Sequence, residues 1–271
     1  MQRILLIGKS SFLAQNLIEQ EHPAFSLDAI AHTEIESVDL GRYDCVVNMA
    51  YQRSYFTAPY SEEIDFCLRV ACKVAECRAH FIMMSSRKVY GTDTPFPVPE
   101  TASLNAADFY GKNCLATEGK VLDLLGERCT ILRPANVFGF EPNRHTFFGL
   151  AITRLLANEP LVFNFSAFTP RDFLPVEQFS RMLADIIQVR PAGIFNVGSG
   201  VALPIGQVAL WIIEGYGKGE ILITKPHQFD RFLLDITKLE AVIGSQPDLT
   251  QAIYESSIRI GKRMQDIERE N

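Results

Sequence analysis

The stretch Arg3-Ile4-Leu5-Leu6-Ile7-Gly8-Lys9-Ser10-Ser11-Phe12-Leu13-Ala14 decides the fold. A short apolar run stops at a glycine, and Phe12, Leu13, Leu17 and Ile18 then recur at helical spacing between Ser11 and Gln20, so the segment reads as strand, glycine turn, helix. Small residues in such a turn let the backbone approach a phosphate, and the helix N-terminus offers N–H groups and a partial positive charge. The spacing is that of Gly-x-x-Gly-x-x-Gly, with Ser11 and Ala14 in the second and third places. Alone, it is balanced between a dinucleotide loop and an ordinary strand-to-helix turn.

Outward from this segment, short apolar strands alternate with helices. Leu27 to Ala31, Tyr43 to Met49, His80 to Met84 and Cys129 to Leu132 read as strands, and Ser61 to Ala79, Asp108 to Leu125 and His145 to Ala157 as helices. With no run of hairpin-type alternation, the fold class is α/β, a Rossmann-type doubly wound parallel sheet. Near Leu161 the pattern breaks into short segments rich in Pro, Gly and Phe, with helices at Ile205 to Glu214 and Leu249 to Arg263. We expect a dinucleotide-binding domain over 1–137 and 167–197, and a small C-terminal substrate-binding lobe over 138–166 and 198–271.

The 271 residues carry 26 basic against 32 acidic side chains, a formal net charge of −6, which argues against a nucleic-acid partner. Hydrophobic residues make up 47% and charged ones 21%, enough apolar material for a core and inconsistent with disorder. No uninterrupted apolar run reaches membrane-spanning length, and Met1 leads into a strand without a leader-type region, so a soluble cytoplasmic protein with no membrane partner is expected. The six cysteines lack metal-type pairing, so reduced thiols and no metal are expected. Cys67, Cys72 and Cys77 recur every five residues and so do not share one helix face.

A dinucleotide site ordinarily has a carboxylate at the end of the second strand, about 20 residues past the glycine turn, to bind the adenosine ribose. Here that stretch is Ala29-Ile30-Ala31-His32-Thr33, and the nearest carboxylates are Asp28 and Glu34. With Lys9 beside the phosphate turn, the cofactor expectation is NAD or NADP, leaning to NADP.

Further motifs follow in a fixed order. Val46-Val47-Asn48-Met49-Ala50 carries an NxA pattern, and Met84-Ser85-Ser86-Arg87-Lys88-Val89-Tyr90-Gly91 an SSxxVYG pattern. Tyr110-Gly111-Lys112-Asn113-Cys114 with Glu118 follows YGxxKxxxE except at the lysine, and Leu132-Arg133-Pro134-Ala135-Asn136-Val137-Phe138-Gly139 follows LRxxNVYG. Arg171 to Val176 resembles RDFxxV, Phe195 to Gly200 FNVGSG, and Asp235 to Leu239 DxxKL. From Ile4 to about Leu239 the chain resembles the extended short-chain dehydrogenase/reductase superfamily, the sugar-nucleotide epimerases, dehydratases and reductases.

The resemblance implies hydride transfer between a nicotinamide and a sugar carbon, with a tyrosine as acid/base and a serine bonding the reacting oxygen. Residue by residue it implies Tyr110, Ser86 and position 114, here Cys114, as the catalytic set. The implied cofactor contacts are Gly8, Lys9, Ser10, Ser11, Phe12, Leu13, Ala14, His32, Asn48, Met49, Ala50, Ser85, Tyr110 and Pro134. On the substrate side it implies Ser86, Arg87, Lys88 and Tyr110, with Asn136 and Arg171 gripping the diphosphate of a nucleotide-sugar; Asn143 and Arg144 are further candidates. An internal ion pair is the other reading of Arg171.

Cys114 stands where the family has a lysine that holds the ribose and lowers the tyrosine pKa. A neutral thiol has no charge to offer, and Lys112 lies about 200° around the helix from Tyr110. Arg87 or Lys88 could reach the site from the preceding loop. Two readings stay open: an active enzyme, by keto-sugar reduction or epimerisation, with a compensating cation; or a weakened or inactive relative that binds a dinucleotide or nucleotide-sugar in a regulatory role. The basic Arg87-Lys88 pair, where a dehydratase would carry carboxylates, disfavours dehydration. The resemblance also implies a homodimer, pairing through the helices at 61–79 and 108–125, with Leu68, Val70 and Val74 as candidate contacts.

Overall fold

The structure is a computed structural model and describes residues 1–50, 52–142 and 146–270. In chain order the elements begin with β1 (Gln2–Ile7), α1 (Phe12–Ile18), β2 (Phe25–Ile30), β3 (Cys45–Asn48), α2 (Ser54–Thr57), α3 (Phe66–Ala75), β4 (His80–Met84), α4 (Phe109–Leu125) and β5 (Cys129–Pro134). They continue with β6 (Asn136–Phe138), α5 (Phe147–Leu156), β7 (Leu161–Phe163), β8 (Pro170–Pro175), α6 (Val176–Val189) and β9 (Gly193–Val197). The last are β10 (Ala202–Pro204), α7 (Ile205–Tyr216), β11 (Ile221–Ile223), α8 (Thr237–Ile243) and α9 (Thr250–Glu270).

Two compact units result: Met1–Pro134 with Glu177–Val197 and Asp235–Ser245, and Ala135–Val176 with Gly198–Leu234 and Gln246–Asn271. These bounds differ from the expected ones at 135–137, 167–176 and 235–245. The segment 170–175 pairs as β8 with β6 and β10 and so groups with the second unit, whereas the chain returns at 235–245 to the first.

The first unit is built on six parallel strands in the order β2-β1-β3-β4-β5-β9, the parallel α/β sheet expected. One face carries Leu5, Ile7, Val46, Phe81, Met83, Cys129 and Ile131, packed against Val70, Ala71 and Val74 of α3 and Val121 and Leu125 of α4. The alternate residues Ile4, Leu6, Val47, Ile82 and Leu132 are equally buried, so the sheet is covered on both faces and its central strands are mostly apolar. Helices α1 and α6 meet through Ser180 Oγ, which donates to Asn16 Oδ1 at 3.1 Å. Between β2 and β3 the crossover is reduced to two short turns of 3-10 helix, His32–Ser37 and Leu40–Arg42.

Several helices depart from the sequence expectation, and α2 and α8 are additional to it. The long helix expected at 61–79 is only Phe66–Ala75, because Asp65 is extended (φ −69°, ψ 97°) and caps it by accepting the Leu68 N–H at 3.0 Å. The buried Asp65 carboxylate also accepts the hydroxyls of Tyr55, Tyr60 and Thr117, which fixes the break. Helix α6 is additional to the expected elements, although Val176, Phe179, Met182, Leu183, Ile186 and Ile187 form a buried stripe at helical spacing. Helix α9 runs to Glu270 rather than Arg263.

In the second unit β10-β8-β6 form a small sheet and β11 pairs with β7. Its core is aromatic: Phe138 stacks on Phe148 at 4.2 Å, and Phe173 meets Phe148 edge-on at 5.5 Å. Helices α7 and α9 touch backbone to backbone, since a Cβ on Gly215 would strike the Ile258 carbonyl and one on Gly261 the Ile212 carbonyl. Among the described residues no helix is long and apolar enough to cross a membrane, and no three His, Cys, Asp or Glu side chains gather as metal ligands. The six cysteines are free thiols.

Candidate active site

Strand order reverses at β1, with β2 on one side and β3 on the other, and in a parallel sheet this opens a crevice at the carboxyl ends. Gly8 turns there with φ +93°, and its N–H and that of Lys9 both donate to the Ile30 carbonyl at 2.9 and 3.0 Å. A Cβ at Gly8 would lie 2.6 Å from the Ala50 nitrogen, so the turn passes too close to the end of β3 for any other residue. Asn48 Oδ1 accepts the Ala50 N–H at 3.1 Å and the Met49 N–H donates to Ile7 O at 2.9 Å, locking that strand end against β1. Ser11 caps α1 by accepting the Ala14 N–H at 3.3 Å; Ser10 is exposed, and Phe12 and Leu13 are half-buried in the first helical turn. Beside this lies a cleft of about 510 Å³ whose walls include His32, Ala50, Arg53, Phe66 and Arg69. His32 meets Phe66 edge-on at 5.8 Å.

A carboxylate that the strand end lacks in sequence reaches it in space. Glu34 folds back so that Oε2 accepts the Ala31 N–H at 2.5 Å, at the end of β2, and the same oxygen pairs with Lys9 Nζ at 3.1 Å. The Ala31 N–H, then Lys9, holds the Glu34 carboxyl below the usual range. Lys9 is therefore engaged by a carboxylate, which removes the reason for leaning to NADP.

These features fit a dinucleotide: a close-packed glycine turn at the switch point, an adjoining cleft, and a carboxylate at the end of β2. Gly8 to Ala14 would hold its pyrophosphate, Glu34 the adenosine ribose, and His32 and Asn48 to Ala50 the walls around it. Pro134 ends β5, paired in register with Val197.

The second cluster lies where β4 ends and α4 begins. Ser86 is buried and accepts the Lys88 N–H at 3.2 Å, capping a short turn over Arg87–Tyr90. Asp108 caps α4 by accepting the Gly111 N–H at 2.9 Å, and a Cβ on Gly111 would sit 2.6 Å from the Lys88 carbonyl, so turn and helix are pressed together. Tyr110, half-buried, stacks on Phe56 with centroids 4.2 Å apart. The Cys114 thiol is buried within hydrogen-bonding reach of the Tyr110 and Ser85 hydroxyls. Burial, then the Glu118 carboxylate, pushes that thiol up to about 12, so it is neutral near pH 7 and brings no cation to Tyr110. Lys88 Nζ pairs with Asp108 Oδ2 at 2.5 Å and lies 5.9 Å from the centroid of the Tyr110 ring.

Beneath these groups runs a buried polar chain in which sequence reasoning assigns a role to Ser85 alone. Ser85 Oγ donates to Glu118, whose carboxylate takes Arg133 in two bonds, Nη2 to Oε2 at 2.5 Å and Nε to Oε1 at 3.0 Å. Arg133 Nη1 donates to the Tyr90 hydroxyl at 3.0 Å, and that hydroxyl donates to Asn196 Oδ1 at 2.6 Å. The motif residues Tyr90, Glu118, Arg133 and Asn196 thus form one structural network. Their signal in sequence is polarity inside runs otherwise apolar.

The remaining substrate candidates belong to the second unit. Asn136 Nδ2 donates to the Asp172 carbonyl at 2.9 Å. Arg171 takes the internal ion pair: Nη2 meets Asp230 Oδ2 at 2.5 Å, Nε donates to the Asp230 carbonyl at 3.1 Å, and the guanidinium lies over Phe165 at 4.7 Å. Burial lowers the pKa of Arg171 and Asp230 opposes that shift. Asn143 and Arg144 lie outside the described residues.

A profile of the NAD dependent epimerase/dehydratase family matches residues 14–198, more than half of the chain. The chain therefore belongs to that family of NAD-dependent enzymes. Solved structures agree with the fold. A UDP-N-acetylglucosamine 4-epimerase from Methanobrevibacter ruminantium M1, in complex with UDP-N-acetylmuramic acid, superposes with a TM-score of 0.82 at 18% identity, covering 99% of each chain. A UDP-glucuronic acid 4-epimerase from Bacillus cereus, a tyrosine-to-phenylalanine mutant in complex with NAD and UDP-4-deoxy-4-fluoro-glucuronic acid, gives 0.78 at 18% identity, over 97% of this chain and 99% of that one. RMD from Pseudomonas aeruginosa, complexed with NADPH, gives 0.77 at 21% identity, over 98% and 100%.

Proposed function

We propose that the chain is a nicotinamide-dependent oxidoreductase or epimerase acting on a nucleotide-linked sugar, by keto-sugar reduction or epimerisation. The observation that carries this reading is Tyr110, at the start of α4, held with Ser85 around the buried Cys114 thiol, while Ser86, next in the chain, caps the turn that packs on α4. A bound nicotinamide supplies or accepts a hydride at its C4. Ser86, whose oxygen accepts the Lys88 N–H, keeps its own proton for the substrate oxygen. Tyr110 takes the proton from that oxygen as a hydroxyl is oxidised and returns it as a carbonyl is reduced. The basic Arg87-Lys88 pair supports these reactions over dehydration.

Glu34 supports NAD over NADP, because its carboxylate at the end of β2 would repel a 2′-phosphate while bonding free ribose hydroxyls. Asn136 and Arg171 remain the proposed diphosphate anchors, Arg171 by exchanging Asp230 for phosphate. Homodimerisation would use α3 and α4. Val70 and Val74 serve the chain's own core, but Gly119, mid-helix and exposed, has open space where a Cβ would be, and this supports close approach by a second copy.

A second reading, a nucleotide-binding relative with lost catalysis, is favoured by the uncharged Cys114 alone. Thermal unfolding with NAD(H) and NADP(H), followed by absorbance assays against UDP-, GDP- and dTDP-sugars, separates the two. A ligand at about 100 times its Kd adds roughly 2.7 kcal/mol. A cofactor shift with turnover that Tyr110→Phe abolishes supports the enzyme. A shift without turnover supports the second reading, and no shift with either cofactor rejects both.

A further inference from the structure

A phenol ionises near pH 10 unless a positive charge stands close to it, so a tyrosine that exchanges protons near neutrality needs a cation. Position 114 does not provide one. The groups that face Tyr110 come from three elements. From α2 it meets the Phe56 ring. Its own helix contributes the cap Asp108 and the neutral Cys114, with Glu118 a turn further on and committed to Arg133 and Ser85. The turn after β4 contributes Lys88, directly over the ring, and Arg87, which acts on the shared partner Asp108.

We infer that Lys88 is the cation serving Tyr110, a positioning residue that stabilises the phenolate from the ring face and stands in for the charge position 114 lacks. Three features hold it there. Its N–H is tied to Ser86 Oγ at 3.2 Å, its carbonyl is packed against Gly111, and its ammonium is anchored on Asp108 at 2.5 Å. The anchor does not cancel the effect, since the Asp108 carboxylate is shared among Lys88, the Gly111 N–H and Arg87 while the Lys88 ammonium lies over the Tyr110 ring. Partial burial would raise the Asp108 carboxyl, but Lys88, the Gly111 N–H and Arg87 outweigh it and hold that group ionised well below neutrality. Asp108 therefore stays an ionised anchor for Lys88 throughout the working range. A unit charge 5.9 Å from the ring at a half-exposed position shifts an ionisation by about one pH unit.

This inference rests on Tyr110 as the proton-transfer group proposed above, so the test reads the phenol and not turnover. With tyrosine labelled at Cζ by carbon-13, the chain gives signals from eight tyrosines, and the one lost in Tyr110→Phe is that of Tyr110. Lys88→Met is expected to raise its titration midpoint by about one pH unit, a tenfold loss of phenolate at fixed pH, while Lys88→Arg holds it near the parent value. Asp108→Asn keeps a helix cap but removes the opposing charge, and should lower the midpoint. An unchanged midpoint in Lys88→Met, or equal shifts in Lys88→Met and Lys88→Arg, overturns the assignment. The titration needs no substrate, so a failed substrate screen leaves it intact, and a flat titration leaves the reaction class intact.

Discussion

Arg133 and Glu118 grip each other in two parallel hydrogen bonds, both side chains almost wholly removed from solvent (1% and 2% exposed), directly beneath Ser85 and Cys114. Removing one member leaves an uncompensated buried charge, which costs about 3–5 kcal/mol. Chemical denaturation of Glu118→Ala should show a loss of that size, and Arg133→Met with Glu118→Leu should recover much of it. If Glu118→Ala unfolds at the parent midpoint, the pair contributes nothing to the fold.

The proposed preference for NAD rests on Glu34 and its ion pair with Lys9. Glu34→Ala frees the Lys9 ammonium and removes a carboxylate from the end of β2. Affinity for NADP relative to NAD should rise at least about tenfold, the equivalent of about 1.4 kcal/mol. Titration of each cofactor by intrinsic fluorescence gives the ratio, and a ratio equal to the parent's would mean the pair does not face the ribose.

Cys114→Lys places an ammonium one helical turn from Tyr110, on its own side of α4. Turnover or cofactor affinity should increase. If the variant folds and gains neither, the missing lysine is not what limits the protein.

His80 sets an acid limit on stability. Its ring at the start of β4 shares a hydrogen bond of 2.7 Å with Thr130, and burial, reinforced by Arg190 and Arg128, pushes its pKa down to about 4. The unfolded chain binds this proton near pH 6.5 and the folded chain does not, so stability is complete above 6.5 and falls as the pH is lowered towards 4. His80→Gln should flatten that slope in urea midpoints measured between pH 4.5 and 7. A slope unchanged by the substitution would assign the acid sensitivity to other groups.

The central strands are legible in the sequence because they are apolar runs, which a parallel sheet covered on both faces produces, whereas the edge strand β9, Gly193–Val197, is not read as one. Helix α6 is not, although its stripe from Val176 to Ile187 is regular, because it follows the Pro- and Phe-rich stretch that suggests an irregular lobe. The break within 61–79 is hidden because Asp65 looks like an exposed surface residue until three hydroxyls are found around it. Glu34 is missed as a strand-end carboxylate because it lies beyond the strand in the backbone and returns to it only through its side chain. Its place three residues after Ala31 is the spacing of a capping glutamate, and that signal could have located it. The ion pair of Arg171 with Asp230 spans 59 residues of chain and has no local signature.

The contact of Gly215 with the Ile258 carbonyl, and of Gly261 with that of Ile212, has a consequence for how this chain can change. Enlarging either glycine would force α7 and α9 apart along their shared length, so neither position can drift alone. Variation in the second unit is thereby channelled into the loops between its short strands. Descendants of this sequence can acquire new specificity in those loops while the paired helices pass on unaltered.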